Sequence, residues 1–175
     1  NNKIILGVAA RLAEEKGIEY LLDAMKLLGK QTKLLIAGPV DPVGEELYKQ
    51  KIMILIKRLG SQVEFLGNLN QQELTNFYKH IDILVLPSVN STEAFGIVQV
   101  EAMMQGTPVI SSNLPGVRVP IMKTKMGELV EPKNAKDLAN AILKVSKTKY
   151  VNTARKIFNP DQSFIKYREL LLSDN

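Results

Sequence analysis

The 175-residue chain has no cysteine and a single histidine. Without cysteine there is neither a disulfide framework nor thiolate chemistry, which fits a reducing compartment, and the expected location is the cytoplasm. Long apolar runs are missing too. None approaches the eighteen or so residues that cross a bilayer, and the opening N-N-K-I-I-L-G-V lacks a long hydrophobic region and a small-residue cleavage site, so neither a membrane span nor a signal peptide is expected. Also absent is a basic stripe interleaved with aromatics. The net charge of +5 comes from lysines spread along the whole length, which argues against nucleic acid. That charge is compatible with phosphorylated small molecules, with peripheral contact at the inner face of an anionic membrane, or with a merely solvated exterior.

What is present is ordinary for a globular domain: 45% hydrophobic and 23% charged residues, enough for a substantial core in one domain spanning residues 1–175. Short β-branched runs at residues 3–8, 33–37, 63–66, 81–86, 108–111 and 127–130 read as six strands. Between and after them, apolar residues three or four apart predict helices at 17–29, about 42–59, 71–79, about 95–105 and 135–145, the last capped by Asn134. Further helical stretches are predicted around 150–158 and 161–172, separated at Asn159-Pro160. No internal repeat or linker interrupts this alternation. It predicts an α/β fold: a doubly wound, six-stranded parallel sheet with helices on both faces. Ligands of such sheets sit beyond the carboxyl ends of the strands, where strand order reverses, commonly between strands one and four. The loops after Val8 and Leu86 are therefore expected to meet over a ligand.

After the first strand the chain reads A-A-R-L-A-E-E-K-G. Arg11 offers a planar fork of donors and Lys16 a compact charge, so together they suit a diphosphate and the charge that develops on it; the alternative is a solvated pair beside Glu14 and Glu15. After the fourth strand comes L-P-S-V-N-S-T-E-A-F-G-I-V-Q-V-E-A-M-M-Q-G-T-P-V-I. Glu93 belongs to the loop and Glu101 to the helix. Eight residues along a helix advance roughly 12 Å, so two such carboxylates can address opposite ends of a nucleotide sugar: Glu101 the ribose diol, Glu93 the sugar hydroxyls. Around Phe95, Gly96 and Ile97 the helix begins, presenting free N–H groups to an anion, with Gly96 allowing close approach.

The alternatives are a solvent-facing Glu101 and a Thr92-Glu93 helix cap. Because Val98, Val100, Ala102 and Met103 surround Glu101 with apolar residues, its carboxylate needs a partner. Gly38-Pro39 and Gly67-Asn68 also fall at carboxyl ends of strands, either for close backbone approach to a planar base or as plain turns. The segment Leu114-Pro115-Gly116-Val117-Arg118 is either a donor contact or a tight turn. His80 falls at the opposite edge and reads as structural or solvent-exposed.

Three segments, R-L-A-E-E-K-G, V-E-F-L-G-N-L and S-T-E-A-F-G-I-V-Q-V-E-A-M-M-Q-G-T-P-V-I with its E-x7-E pattern, resemble the C-terminal domain of GT-B-fold retaining glycosyltransferases, over nearly the whole chain. That group contains mannosyl-, glucosyl- and sucrose-related transferases. The resemblance implies a Rossmann-like half of a GT-B fold that binds a nucleotide diphosphate sugar, GDP- or UDP-linked, with no obligatory metal cofactor. Arg11 and Lys16 would hold the donor diphosphate, Glu93 the donor sugar and Glu101 the ribose, while the backbone of Phe95 to Ile97 and Gly67 lines the donor site. Ala10 departs from the glycine often found there. By resemblance the N-terminal acceptor domain is missing from this chain, the segment from about Tyr150 onward includes helices that pack back towards it, and the fragment alone is expected to be inactive. Polysaccharide or other surface-glycan synthesis is the expected setting. The rivals are a non-catalytic nucleotide-sugar-binding module and half of a sugar-nucleotide epimerase. A dinucleotide-dependent dehydrogenase is disfavoured because no G-x-G-x-x-G follows the first strand.

Overall fold

Continuous apolar strands must be covered on both faces, and the helices are divided between those faces accordingly. The computed structural model describes residues 3–40 and 43–159. Its strands are β1 (Ile4–Ala9), β2 (Thr32–Ala37), β3 (Val63–Gly67), β4 (Ile83–Leu86), β5 (Val109–Ser112) and β6 (Gly127–Val130). All pairings are parallel, in the order β3-β2-β1-β4-β5-β6. The helices are α1 (Ile18–Leu28), α2 (Glu46–Leu59), α3 (Gln71–His80), α4 (Ile97–Met104), α5 (Val119–Thr124), α6 (Ala135–Val145) and α7 (Ala154–Ile157). The doubly wound sheet expected from the sequence is present, with its reversal of order between β1 and β4.

Side chains alternate between two cores. Leu34 and Ile36 join Leu22, Met25, Ile52 and Ile142 under α1, α2 and α6. Leu35 and Leu84 join Phe77, Tyr78, Met103 and Ile121 under α3, α4 and α5. Each large aliphatic side chain buried this way contributes about 1.5–3 kcal/mol.

Local chemistry sets where elements start and stop. Asn70 accepts from the N–H groups of Gln72 and Glu73 while Glu73 reaches back to the Asn70 N–H, a capping box that fixes the start of α3. Asn134 caps α6 as expected, accepting from the Asp137 N–H at 3.0 Å. The strand expected from residue 81 begins at Ile83, because Ile81 N–H closes the last turn of α3 on Phe77 and the Asp82 carboxylate accepts from Ile5 N–H at 2.7 Å. The second helix begins at Glu46 rather than near residue 42. The fourth begins at Ile97 rather than 95, since Gly96 takes φ 73°, outside the helical region.

Two differences are larger. A short helix with Pro120 in its first turn, α5, was not anticipated; six residues give too few turns for an apolar period to show. The helix expected over 150–158 contracts to α7, which docks on this same domain: Thr153 Oγ1 donates to Thr124 O at 2.6 Å and Arg155 Nε to Met104 O at 3.0 Å. The helix expected at 161–172 lies outside the described residues. Among the described residues no helix is long and apolar enough to cross a membrane.

Candidate functional site

At the reversal of strand order the loops after β1 and β4 are locked together. Val89 N–H donates to Glu15 O at 3.0 Å. Gly17, at φ 63°, packs so closely that a Cβ would stand 2.2 Å from Pro87 O, so any side chain there would drive the loops apart. Immediately beyond, the start of α1 is pinned by α2: Ile18 N–H donates to the Tyr48 hydroxyl at 3.1 Å, which in turn donates to Glu19 Oε2 at 2.5 Å.

Lys16 and Glu93, 77 residues apart, meet across these loops with Nζ and Oε2 at 2.6 Å, their side chains 20% and 15% exposed. Glu93 is thus no helix cap; α4 starts at Ile97 behind Gly96, without a side-chain cap, and the Thr92 hydroxyl donates to Asn90 at 2.5 Å. The guanidinium of Arg11 bonds to Glu15 and is half exposed.

Arg11 also lines an open cleft of about 340 Å³ above the ends of β1, β2 and β3, together with Ala10, Gly38, Pro39, Asn68, Leu69, Leu74 and Val98. Gly67 sits at φ 70°, as a turn requires, and a Cβ there would meet nothing within 4 Å, whereas one at Gly38 would stand 2.3 Å from Ala10 O. Larger openings lie elsewhere, one of about 490 Å³ beside α3 and β3 that includes an exposed His80, so volume alone does not select the site. Of the side chains expected at the ligand edge, Arg11 lines the cleft above β1–β3, Lys16 pairs with Glu93, and α4 begins without a side-chain cap.

Glu101, half-buried on α4, accepts from the hydroxyl of the buried Tyr78 on α3 at 2.7 Å, which supplies the partner its apolar surroundings demand. Tyr78 was not singled out from sequence; the one available signal was a tyrosine in the helix before β4, with nothing local to pair it with a residue 23 positions on. Gln99 was also missed. Fully buried, its amide Nε2 donates to Phe95 O at 2.9 Å and Val117 O at 3.0 Å, stitching the entry of α4 to the turn after β5. The segment 114–118 is accordingly a tight turn against that entry, with Arg118 exposed. Gly96 is favoured by its own backbone, at φ 73°, and a Cβ there would also press on the side-chain ends of Leu86 and Gln99, at 2.5 and 2.8 Å.

Burial, and then the bond to its glutamate, pushes each of the Tyr48 and Tyr78 hydroxyls well above the ordinary tyrosine range, so both are neutral donors. Among the described residues no three His, Cys, Asp or Glu side chains gather as a metal site would require.

A parallel sheet of this order, with helices on both faces and its reversal between β1 and β4, defines a Rossmann-like domain. The chain belongs to the glycosyl transferases group 1 family, whose model matches residues 1–161. It is 41% identical over 143 residues to an uncharacterized glycosyltransferase of Methanocaldococcus jannaschii, covering 79% of this chain and 34% of that protein. It is 32% identical over 149 residues to a D-inositol 3-phosphate glycosyltransferase of Corynebacterium jeikeium, covering 81% of this chain and 35% of the relative. Among solved structures, Anabaena HepE in complex with UDP and glucose superposes with a TM-score of 0.87 at 26% identity, over 98% of this chain and 49% of that one. The chain therefore spans about a third of these relatives and half of that structure, and its fold is one half of the GT-B architecture.

Proposed function

We propose that this chain is the donor-binding C-terminal domain of a retaining, metal-independent glycosyltransferase. The full-length protein moves a hexose of mannose or glucose type from a nucleotide diphosphate sugar to a hydroxyl, in surface-glycan synthesis. The observation that supports this is the carboxyl edge of the sheet, where Arg11 lines the open cleft, Lys16 pairs with Glu93 across the loops after β1 and β4, and Glu101 lies three residues beyond Val98 of the cleft wall. In the transfer, the bond from the anomeric carbon to the diphosphate breaks, a bond to the acceptor oxygen forms on the same face, and the acceptor proton passes to the departing diphosphate or to water. Negative charge grows on the leaving diphosphate. Arg11, Lys16 and the N–H groups at Phe95 to Ile97 offset it, the task a divalent ion performs in metal-dependent enzymes. Glu93 holds the hexose hydroxyls and Glu101 the ribose. Glu15 and Glu93 pair with the two cations, so donor binding exchanges these intramolecular pairs for phosphate and sugar contacts.

HepE was also solved in complex with UDP-glucose, at a TM-score of 0.85 and 27% identity, which makes UDP-sugars the first donors to test. The acceptor site belongs to a second α/β domain of the full-length protein, consistent with the share of HepE that this chain covers. Peripheral contact with the inner membrane face also belongs to that whole protein. The test is calorimetric titration of the 175-residue chain with UDP, GDP, ADP and their sugar conjugates, first without metal and then with magnesium. Metal-independent binding is expected; binding that appears only with magnesium would overturn the metal-independent mechanism.

A further inference from the structure

We infer that Tyr78 is a positioning residue for nucleotide recognition: its hydroxyl holds the Glu101 carboxylate in the orientation that receives the ribose diol, and so sets discrimination between ribose and deoxyribose. The inference rests on the donor-domain reading above and adds a residue to it.

Tyr78 is 2% exposed, and among the described residues its hydroxyl is the one hydrogen-bond partner of the Glu101 carboxylate, at 2.7 Å. Its own placement is fixed three ways. The ring packs against Phe77 at 5.6 Å between centroids, the backbone carbonyl accepts from the buried Thr107 hydroxyl at 2.5 Å, and α3 packs directly on α4. The donor therefore sits on a rigid support. Glu101 is less constrained, being half-buried near the middle of α4. Leu74 and Val98, which line the cleft, lie four and three residues from Tyr78 and Glu101, on the same helix faces. The Tyr78–Glu101 bond thus joins α3 to α4 one turn beyond the cleft wall. A tyrosine suits the role where a lysine or arginine does not. Its hydroxyl fixes one carboxylate oxygen without cancelling the negative charge, leaving the other oxygen and the remaining lone pairs to accept from sugar hydroxyls.

The experiment compares binding of UDP and 2′-deoxy-UDP, and of GDP and 2′-deoxy-GDP, to the 175-residue chain and to its Tyr78→Phe and Glu101→Ala variants. Phenylalanine keeps the ring and removes only the hydroxyl. The readout is the ribo-to-deoxyribo affinity ratio for whichever base binds more tightly, which is insensitive to the folded fraction because partial unfolding weakens both ligands alike. A hydrogen bond to a carboxylate is worth roughly tenfold or more in affinity, so a wild-type ratio of about ten or above should collapse to near one in Glu101→Ala and fall at least about threefold in Tyr78→Phe. If Glu101→Ala collapses the ratio and Tyr78→Phe does not, whether it weakens both ligands equally or neither, Tyr78 has a structural role only and the inference is overturned while the donor reading stands. If Glu101→Ala leaves the ratio unchanged, Glu101 does not read the ribose, and both fall.

Discussion

Two buried tyrosines donate to glutamates on opposite faces of the sheet, and the two carboxylates are used to different extents. On the α1–α2 side Glu19 is 7% exposed; Tyr48 occupies one oxygen at 2.5 Å and Lys51 the other at 3.1 Å, while Tyr48 also accepts from Ile18 N–H. On the α3–α4 side Glu101 is half-buried and, among the described residues, holds Tyr78 alone. A buried carboxylate whose oxygens are both taken contributes stability and has nothing left for a ligand. One that keeps acceptor capacity has oxygen lone pairs left to accept from water or a ligand. Loss of the first pair should therefore register in folding, and loss of the ligand-edge groups in binding.

The largest effect expected is on binding. Replacing Arg11 and Lys16 together by alanine removes two charge-assisted contacts, each worth about 1.5–3 kcal/mol, and should weaken nucleoside diphosphates at least about 100-fold in calorimetry. Uridine or guanosine, lacking phosphate, should change by less than about threefold. Equal loss for nucleosides and diphosphates would mean that the site, and the contrast with Glu19, has been misplaced.

Next comes Glu19→Ala, which strands the Tyr48 hydroxyl inside the core. It should cost about 1.5–3 kcal/mol, lowering Tm by about 3–12 °C for a chain of this size. Glu101→Ala should cost less than about 1 kcal/mol, because its half-buried position lets water reach the Tyr78 hydroxyl. Thermal melts of the two variants side by side decide the matter; similar losses would erase the distinction between a completed and an open pair.

Both tyrosines also couple stability to alkaline pH. Their folded pKa values lie above the ordinary value of about 10, through burial and then the bond to glutamate, so above that pH the unfolded chain releases protons that the native state keeps. Stability from this source is complete below about pH 10 and falls as pH rises beyond it, by about 1.4 kcal/mol per pH unit for each tyrosine. Denaturant titrations between pH 9 and 11 should show a slope that Tyr48→Phe and Tyr78→Phe each reduce by one proton. An unchanged slope in either variant would show that the corresponding hydroxyl is already solvated.

These contrasts separate what the sequence made legible from what it did not. Strand order and the meeting of two loops follow from alternation and topology, because β-branched runs such as Ile83–Leu86 have few other ways to be buried. Arg11, Lys16, Glu93 and Glu101 stood out because charge in loops and on an apolar helix is locally conspicuous. Their partners did not. Whether Lys16 would face Glu93, 77 residues away, or Glu101 would find Tyr78 depends on how loops and helices pack, which periodicity does not encode. Gln99 was equally hidden, since one amide in an apolar helix reads as surface until Phe95 O and Val117 O are seen to need a donor. Gly96 stood out in sequence as a place for close approach of an anion, whereas its left-handed backbone at φ 73° is visible only in the fold.

The smallest effect expected is at the other cation of the ligand edge. Arg11 is held by Glu15 in an i,i+4 pair with the guanidinium 51% exposed, whereas Lys16 and Glu93 are 20% and 15% exposed. Exposed pairs are worth about 0–1 kcal/mol, so Glu15→Gln should leave Tm within a degree or two and raise affinity for nucleoside diphosphates by no more than about fivefold, as Arg11 no longer exchanges one partner for another. Because such a pair is screened once salt brings the Debye length to about 10 Å or less, that gain should shrink between low and moderate ionic strength. A fall in affinity would carry the opposite meaning: Glu15 would be orienting Arg11 towards the phosphate, as Tyr78 orients Glu101, and the ligand edge would contain a second prepositioned pair.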